Sequence, residues 1–184
     1  MIKMESPSFA FNSVDVPSPH YRMWESMTGH EGMSAAMLVD KILRVNMLAW
    51  EFERKPLKNI IINSHGLDGG GRISIGGEGR IGIDLERANE FLRLKPKNLG
   101  TIWLVACQAA AGPAGKQLCQ AIATNSGCQV VASDEDQDTG IWGTWRLITS
   151  LNNIDEFEGT VYSFTPVGGM KMIDPHDDIF TILE

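Results

Sequence analysis

Two residues in this chain are of a type and in a setting to do nucleophilic chemistry together. His65 ends the run KNIIINSHG (residues 58-66, with Gly66 after it), and Cys107 ends TIWLVAC (residues 101-107). The thiolate is the reactive form of cysteine, and a neighbouring imidazole favours its formation. The same imidazole can then protonate a leaving amine. Gly66 has no side chain to keep a substrate from its backbone N–H, so the N–H groups of Gly66 and Cys107 are expected to form an oxyanion hole. One such donor is typically worth roughly 3 kcal/mol of transition-state stabilisation.

Taken singly, neither residue says much. A histidine after a strand is commonly a hydrogen-bonded loop residue, and a lone cysteine is commonly a small buried hydrophobe. What raises the pair above that is the setting. Both follow short apolar, β-branched runs that read as buried strands, and the chain between them is long enough for one crossover. Neighbouring parallel strands joined by a right-handed crossover bring their carboxyl ends to one sheet edge, where open α/β sheets place their ligands.

The other elements follow from periodicity. Residues 1-30 contain several prolines and give only an edge strand around Phe9 to Val16. From Gly32 to Arg54, Met33, Met37, Val39, Ile42, Leu43, Met47 and Trp50 approximate helical spacing, with Met and Trp expected in the core. After the strand at 58-64, a glycine-dense loop, GLDGGG, leads into RISI and RIGI, which read as a β-hairpin around GGEG. Asp84 suits the cap of a helix over Leu85 to Leu94 that Pro96 ends. Past Cys107, Pro113 opens a helix and Gly127 stops it. Cys119 lies on that helix's apolar stripe, and Cys128 begins the strand CQVVAS, at the edge opposite the proposed cleft. Both read as structural thiols. IWGTWRLIT and GTVYSFTPVGG read as two further strands joined by an acidic loop.

Composition bounds the function. With 43% apolar residues, 184 residues suffice for one domain, 1-184, with its own core. A net charge of −7 argues against a nucleic-acid binder. Residues 130-184 hold 11 of the 23 acids against two bases, Arg146 and Lys171. Within that region Asp134, Glu135 and Asp136 follow a strand and are expected at the same edge as His65 and Cys107, lining a pocket for a basic substrate side chain. Three cysteines at spacings of 12 and 9 form neither a disulfide framework nor a CxxC metal site. Residues 77-82 spell GxGxxG, but no helix follows the last glycine, which removes the dinucleotide reading. His176 among the aspartates of the tail is too little for a metal. No run is long enough to cross a bilayer, and no apolar h-region marks a signal peptide. The expected location is the cytoplasm, or export without a signal.

Strand-Ser64-His65-Gly66 followed by strand-Ala106-Cys107 resembles the His-Gly and Ala-Cys signatures of clan CD cysteine peptidases, which include caspases, gingipains, clostripain, legumain and separase. AAGPAGKQLCQAIATNSGCQVVAS, from Ala110 to Ser133, is similar to CHAT-type domains and closer still to caspase-like domains of large bacterial surface and effector proteins. The resemblance covers residues 57-168 and leaves out residues 1-30 and the acidic tail, 170-184. It implies a caspase-like α/β sandwich, a mainly parallel sheet with helices on both faces and a small β-hairpin after the His-bearing strand. It also implies a cysteine endopeptidase in which His65 is the general acid/base and Cys107 the nucleophile, with no metal or cofactor and a protein or peptide as substrate. Gln108 follows the cysteine without the sequence context of caspases or legumain, so an aspartate preference is not implied. Two other classes fit the same residues: a catalytically silent module that binds a partner protein, and a hydrolase of non-peptide amide or ester bonds.

Overall fold

In the computed structural model, residues 1–17, 20–67, 69–77, 82–137 and 151–175 are described. The apolar runs that flank the chemistry are strands, β4 (Asn59–Asn63) and β7 (Thr101–Val105), and they lie side by side. They are parallel, with Asn59 opposite Thr101 and Asn63 opposite Val105. A buried hydrogen bond from Trp103 Nε1, in the middle of β7, to Asn59 Oδ1, at the start of β4, at 2.9 Å ties one strand to the other by side chains as well as backbone.

Around this pair the remaining strands extend the sheet in both directions. On the β4 side come β2 (Ser8–Asn12) and β3 (Glu25–Thr28), both parallel to it. On the β7 side come β8 (Gln129–Ser133), parallel, then β10 (Val161–Phe164), antiparallel, then β11 (Met170–Met172). The order is β11-β10-β8-β7-β4-β2-β3, a seven-stranded, mainly parallel sheet flanked by helices. Two small antiparallel pairs lie outside it: β1 (Ile2–Lys3) with β9 (Asn153–Ile154), and β5 (His65–Leu67) with β6 (Arg72–Ser74).

Alternation along the strands builds two apolar layers. Phe9, Phe11, Ile60, Ile62, Ile102, Leu104, Val130 and Ala132 face the helices. There they meet Leu38, Val39 and Ile42 of α1 (Ala35–Phe52), Phe91 and Leu94 of a 3-10 helix (Arg87–Lys97), and Leu118 and Ile122 of α2 (Gly112–Ser126). Complete burial of one such large side chain stabilises the fold by about 1.5–3 kcal/mol. Ala10, Ile61, Trp103, Val105 and Val131 face the other way, against Ile2, Met4, Tyr21, Met23 and Ile154. The described helices therefore pack on one face of the sheet, and the other is covered by the β1–β9 pair and the crossover between β2 and β3.

Several local expectations change. The strand near the N-terminus is not an edge: β2 is fully buried between β3 and β4. α1 begins at Ser34, whose side chain accepts from the Met37 N–H, but its inward face is Ala35, Leu38, Val39, Ile42, Val45, Asn46 and Ala49. Met47 (66%) and Trp50 (49%) are exposed rather than in the core. The hairpin forms one element earlier than the sequence suggests. β5 pairs with β6, and the described end of the second run, Gly82 and Ile83, meets the first at Ile73, through the bridge between Ile73 and Ile83 and a bond from the Gly82 N–H to the Ile73 carbonyl. Gly82, the last residue of the GxGxxG string, is explained by packing, since a Cβ there would lie 2.1 Å from Cγ1 of Ile75. Asp84 does accept from the Arg87 N–H at 2.9 Å, but the helix that follows is 3-10 and carries Pro96 inside it. In the last third, β10 occupies VYSF and is followed by β11. IWGTWRLIT and His176 lie outside the described residues. None of the described helices is long and apolar enough to cross a membrane.

Candidate functional site

Extending the β4–β7 register by two residues puts His65 opposite Cys107. The ladder does run on: the Ser64 N–H donates to the Val105 carbonyl at 3.1 Å. At His65 the chain leaves the sheet to form the β5–β6 hairpin, and after Val105 the other chain turns toward α2. Both residues thus lie where their strands part from the sheet, at its carboxyl edge.

Gly66 is the point of closest approach. A Cβ on it would lie 1.6 Å from the carbonyl oxygen of Cys107 and 2.7 Å from the carbonyl carbon, so no other residue fits. Ile73, opposite Gly66 in the hairpin, spends both its N–H and its carbonyl on Ile83, at 2.8 and 2.9 Å. Gly66 and Ile73 are therefore a non-hydrogen-bonded pair, and the Gly66 N–H is turned away from β6. The Cys107 N–H has no partner among the described residues.

After Cys107 the chain makes a sharp turn. Gln108 has a φ of 53°, in the left-handed region that a residue with a side chain occupies only under constraint. The constraint comes from the end of β8: the Gln108 N–H donates to the Glu135 carbonyl and the Ala110 N–H to the Ser133 carbonyl, both at 2.8 Å. The glycine-rich hairpin turn lies against the same loop, where a Cβ on Gly70 would come within 2.5 Å of the Ala111 carbonyl oxygen.

His65 and Cys107 are not hydrogen-bonded to each other. The imidazole Nε2 lies 3.2 Å from the main-chain carbonyl of Asp15, in the turn after β2, and the Cys107 sulfur lies 3.9 Å from the carbonyl of Gln137. The Asp15 turn is itself tied down, by the Ser13 N–H donating to the Asn63 carbonyl and the Ser13 hydroxyl donating to the Asp15 carboxylate. Donation from Nε2 to Asp15 leaves the imidazole lone pair on Nδ1.

Beside Cys107 there is a cleft of about 830 Å³. Gly66, Cys107 and Gln108 line one side, and Asp134, Glu135, Asp136, Gln137 and Glu158 line the rest. The three acids read from the sequence thus do share a cleft with the cysteine. They are not equivalent. Asp134 accepts from the Thr160 N–H at 2.8 Å with one oxygen and from the Tyr162 hydroxyl at 3.1 Å with the other, which makes it a brace between β8 and β10. Lys116 of α2 lies over the same tyrosine ring, 4.3 Å from its centre. Glu135 and Asp136 are exposed, and Glu158 adds a fourth carboxylate from the segment before β10. No lysine, arginine or histidine lines the cleft among the described residues.

The other two thiols are sealed in the core. Burial pushes Cys119 up to about 12 and Cys128 up to about 11, as expected for apolar surroundings that disfavour the thiolate. Cys107 is only half-buried, and all three cysteines are free. Sequence reasoning missed three participants. Asp15 acts through its carbonyl, which every residue has. Gln137 acts through hydrogen bonds to main chain and carries no local signature. Glu158 was visible only as one of many acids in the last third of the chain.

Residues 30–163 match the model of a domain of unknown function, DUF4347, and the chain belongs to that family. The match includes β4, β7, His65, Cys107 and the acidic cleft, and leaves β2 and the Asp15 turn outside. No curated protein and no solved structure matches the chain.

Proposed function

We propose that the chain is a caspase-like cysteine endopeptidase, with Cys107 as nucleophile and His65 as general acid and base. The observation that carries this reading is the in-register pairing of β4 with β7, which brings the two residues to one edge with the Gly66 backbone packed on Cys107. The thiol proton passes to His65 Nδ1 as the sulfur bonds to the substrate carbonyl carbon. The carbonyl oxygen takes up the negative charge beside the N–H groups of Gly66 and Cys107. Collapse of this intermediate breaks the C–N bond, and His65 returns the proton to the leaving amine. A water molecule then adds to the thioester, giving a proton to His65. The S–C bond breaks, the carboxylic acid leaves, and the thiol is restored.

Substrate choice falls to the acidic cleft. A lysine or arginine side chain before the scissile bond would meet Glu135, Asp136 and Glu158 with no cation lining the cleft among the described residues, whereas an aspartate would be repelled. The protein would act on peptides or proteins in the cytoplasm, or after export without a signal sequence.

A second reading has its own support. Cys107 and His65 each face a main-chain carbonyl instead of each other, an arrangement equally suited to a silent module that binds a partner protein. Intact-mass spectrometry after exposure to peptide electrophiles ending in Arg, Lys, Asp or Leu separates the two. The peptidase reading expects one adduct, on Cys107, formed fastest with Arg or Lys and absent in Cys107→Ala. No adduct with any peptide would remove it, and a preference for Asp would remove the basic specificity.

A further inference from the structure

The acidic cleft has two walls from different parts of the chain: residues 134–137, after β8, and residues 157–159, before β10. Near the sheet they are joined by Asp134 and by the Ser133 hydroxyl, which donates to the Glu158 carbonyl. Further out, among the described residues, the Gln137 carboxamide joins them. Gln137 Oε1 accepts from the Glu158 N–H at 3.2 Å, and Gln137 Nε2 donates to the Glu158 carbonyl, also at 3.2 Å. The side-chain amide thus pairs with both main-chain groups of one residue, as a peptide unit of a neighbouring strand would. Nε2 also donates to the Glu135 carbonyl at 3.0 Å, and that carbonyl accepts from the Gln108 N–H at 2.8 Å. A continuous chain of hydrogen bonds therefore runs from Glu158 through Gln137 and Glu135 to the residue after Cys107.

We propose that Gln137 is a positioning residue: its carboxamide holds Glu158 across the cleft from Cys107 and so sets the preference for positive charge at the sulfur. This rests on the reading of the cleft as the pocket for a substrate side chain. It does not require turnover, because the charge preference can be read from the thiol directly. Glu158 is exposed and its peptide is fixed from the cleft side by the Gln137 amide. Without that amide the Glu158 N–H is released and its peptide keeps only the Ser133 hydroxyl on its carbonyl, so the carboxylate is held less closely to the cleft, while Asp134 still braces the inner wall.

The test is the rate at which Cys107 forms a mixed disulfide with a cationic trimethylammonioethyl methanethiosulfonate and with its anionic sulfonatoethyl counterpart. The buried Cys119 and Cys128 serve as internal references. In the unmodified protein the cation should react faster, and added salt should narrow the difference. Glu158→Gln and Gln137→Ala should each lower the cation-to-anion ratio, by roughly threefold or more for loss of one nearby charge. The double variant should match Glu158→Gln alone, because Gln137 acts through Glu158. Gln137→Met, which keeps the stem and loses the amide, should behave as Gln137→Ala does, and it carries the comparison if the alanine variant does not fold. An unchanged ratio in a folded Gln137 variant, or effects that multiply in the double variant, would overturn the proposal. A selective ratio with no peptide adduct would instead count against the peptidase reading while leaving this one standing.

Discussion

The two flanks of Cys107 are built differently. Toward β4 and β2, hydrogen bonds link Ser13 to Asn63 and Asp15, Asn63 to Asn12, and His65 to the Asp15 carbonyl, while Asp15 Oδ2 and the Ser64 hydroxyl are buried without a partner among the described residues. Toward β8 and β10, an open cleft carries four carboxylates, of which Asp134 is engaged on both oxygens. Orientation belongs to the first flank and charge to the second. Gly66 and Cys107 form the ridge between them. A fold divided this way can change what it recognises, through the loops after β8 and before β10, without moving the imidazole.

The contrast can be broken most severely at the ridge. Gly66→Ala places a methyl group 1.6 Å from the Cys107 carbonyl oxygen, and the backbone must move on both strands to admit it. We expect a loss of several kcal/mol in stability, read by denaturant or thermal unfolding, together with loss of Cys107 labelling selectivity. His65→Ala acts on one flank only. It should reduce adduct formation with a peptide electrophile by about 10²–10⁴-fold, as for loss of a general base, while the cation-to-anion ratio at the thiol keeps its sign. Equal effects on both quantities would mean that the flanks are not separate.

A milder test uses pH. Cys119 and Cys128 have folded-state values near 12 and 11, above the ordinary 9.0, so the native state holds their protons more tightly than the unfolded chain does. Their contribution is complete below about pH 9 and is lost as pH rises toward 11 and 12, where the unfolded state is already ionised and the folded state is not. Unfolding midpoints should fall over that window, and Cys119→Ala should flatten the fall although it costs packing at neutral pH. The smallest effect is expected from Ser13→Ala, which removes the hydroxyl that ties the Asp15 turn. It should cost about 1 kcal/mol of stability and slow labelling assisted by His65 only slightly.

Much of this was legible in the sequence, for a physical reason. Strands β4, β7 and β8 are short, β-branched and apolar on both faces, a composition that suits little besides the interior of a parallel sheet. His65, Cys107 and the acids after β8 came with them, because a residue at the end of a strand inherits the strand's place. The N-terminal strand was harder. Ser8–Asn12 lies close to Pro7 and Pro17 and has no β-branched residue, so nothing local distinguishes an interior strand from an edge. The inward face of α1 was misread because Leu43, Met47 and Trp50 repeat at helical spacing just as Leu38, Ile42 and Val45 do. Only the sheet decides which stripe is buried. Asp15 and Gln137 act through generic hydrogen bonds between segments distant in sequence, and no pattern announces those.

The buried hydrogen bond between Trp103 and Asn59 has a consequence at the far end of the same two strands. It joins the first residue of β4 to the middle residue of β7, and the alignment it favours there is the one that sets His65 against Cys107 beyond the last pair. A slip of one residue between these strands would displace the two by about 3.3 Å and turn one of them to the opposite face. A misaligned chain could still bury most of its isoleucines and leucines, since β4 is apolar on both sides, yet it would not set the imidazole beside the thiol. The indole and the carboxamide thus act as a checksum: a polar match, made in the dry interior, that favours the alignment setting His65 against Cys107.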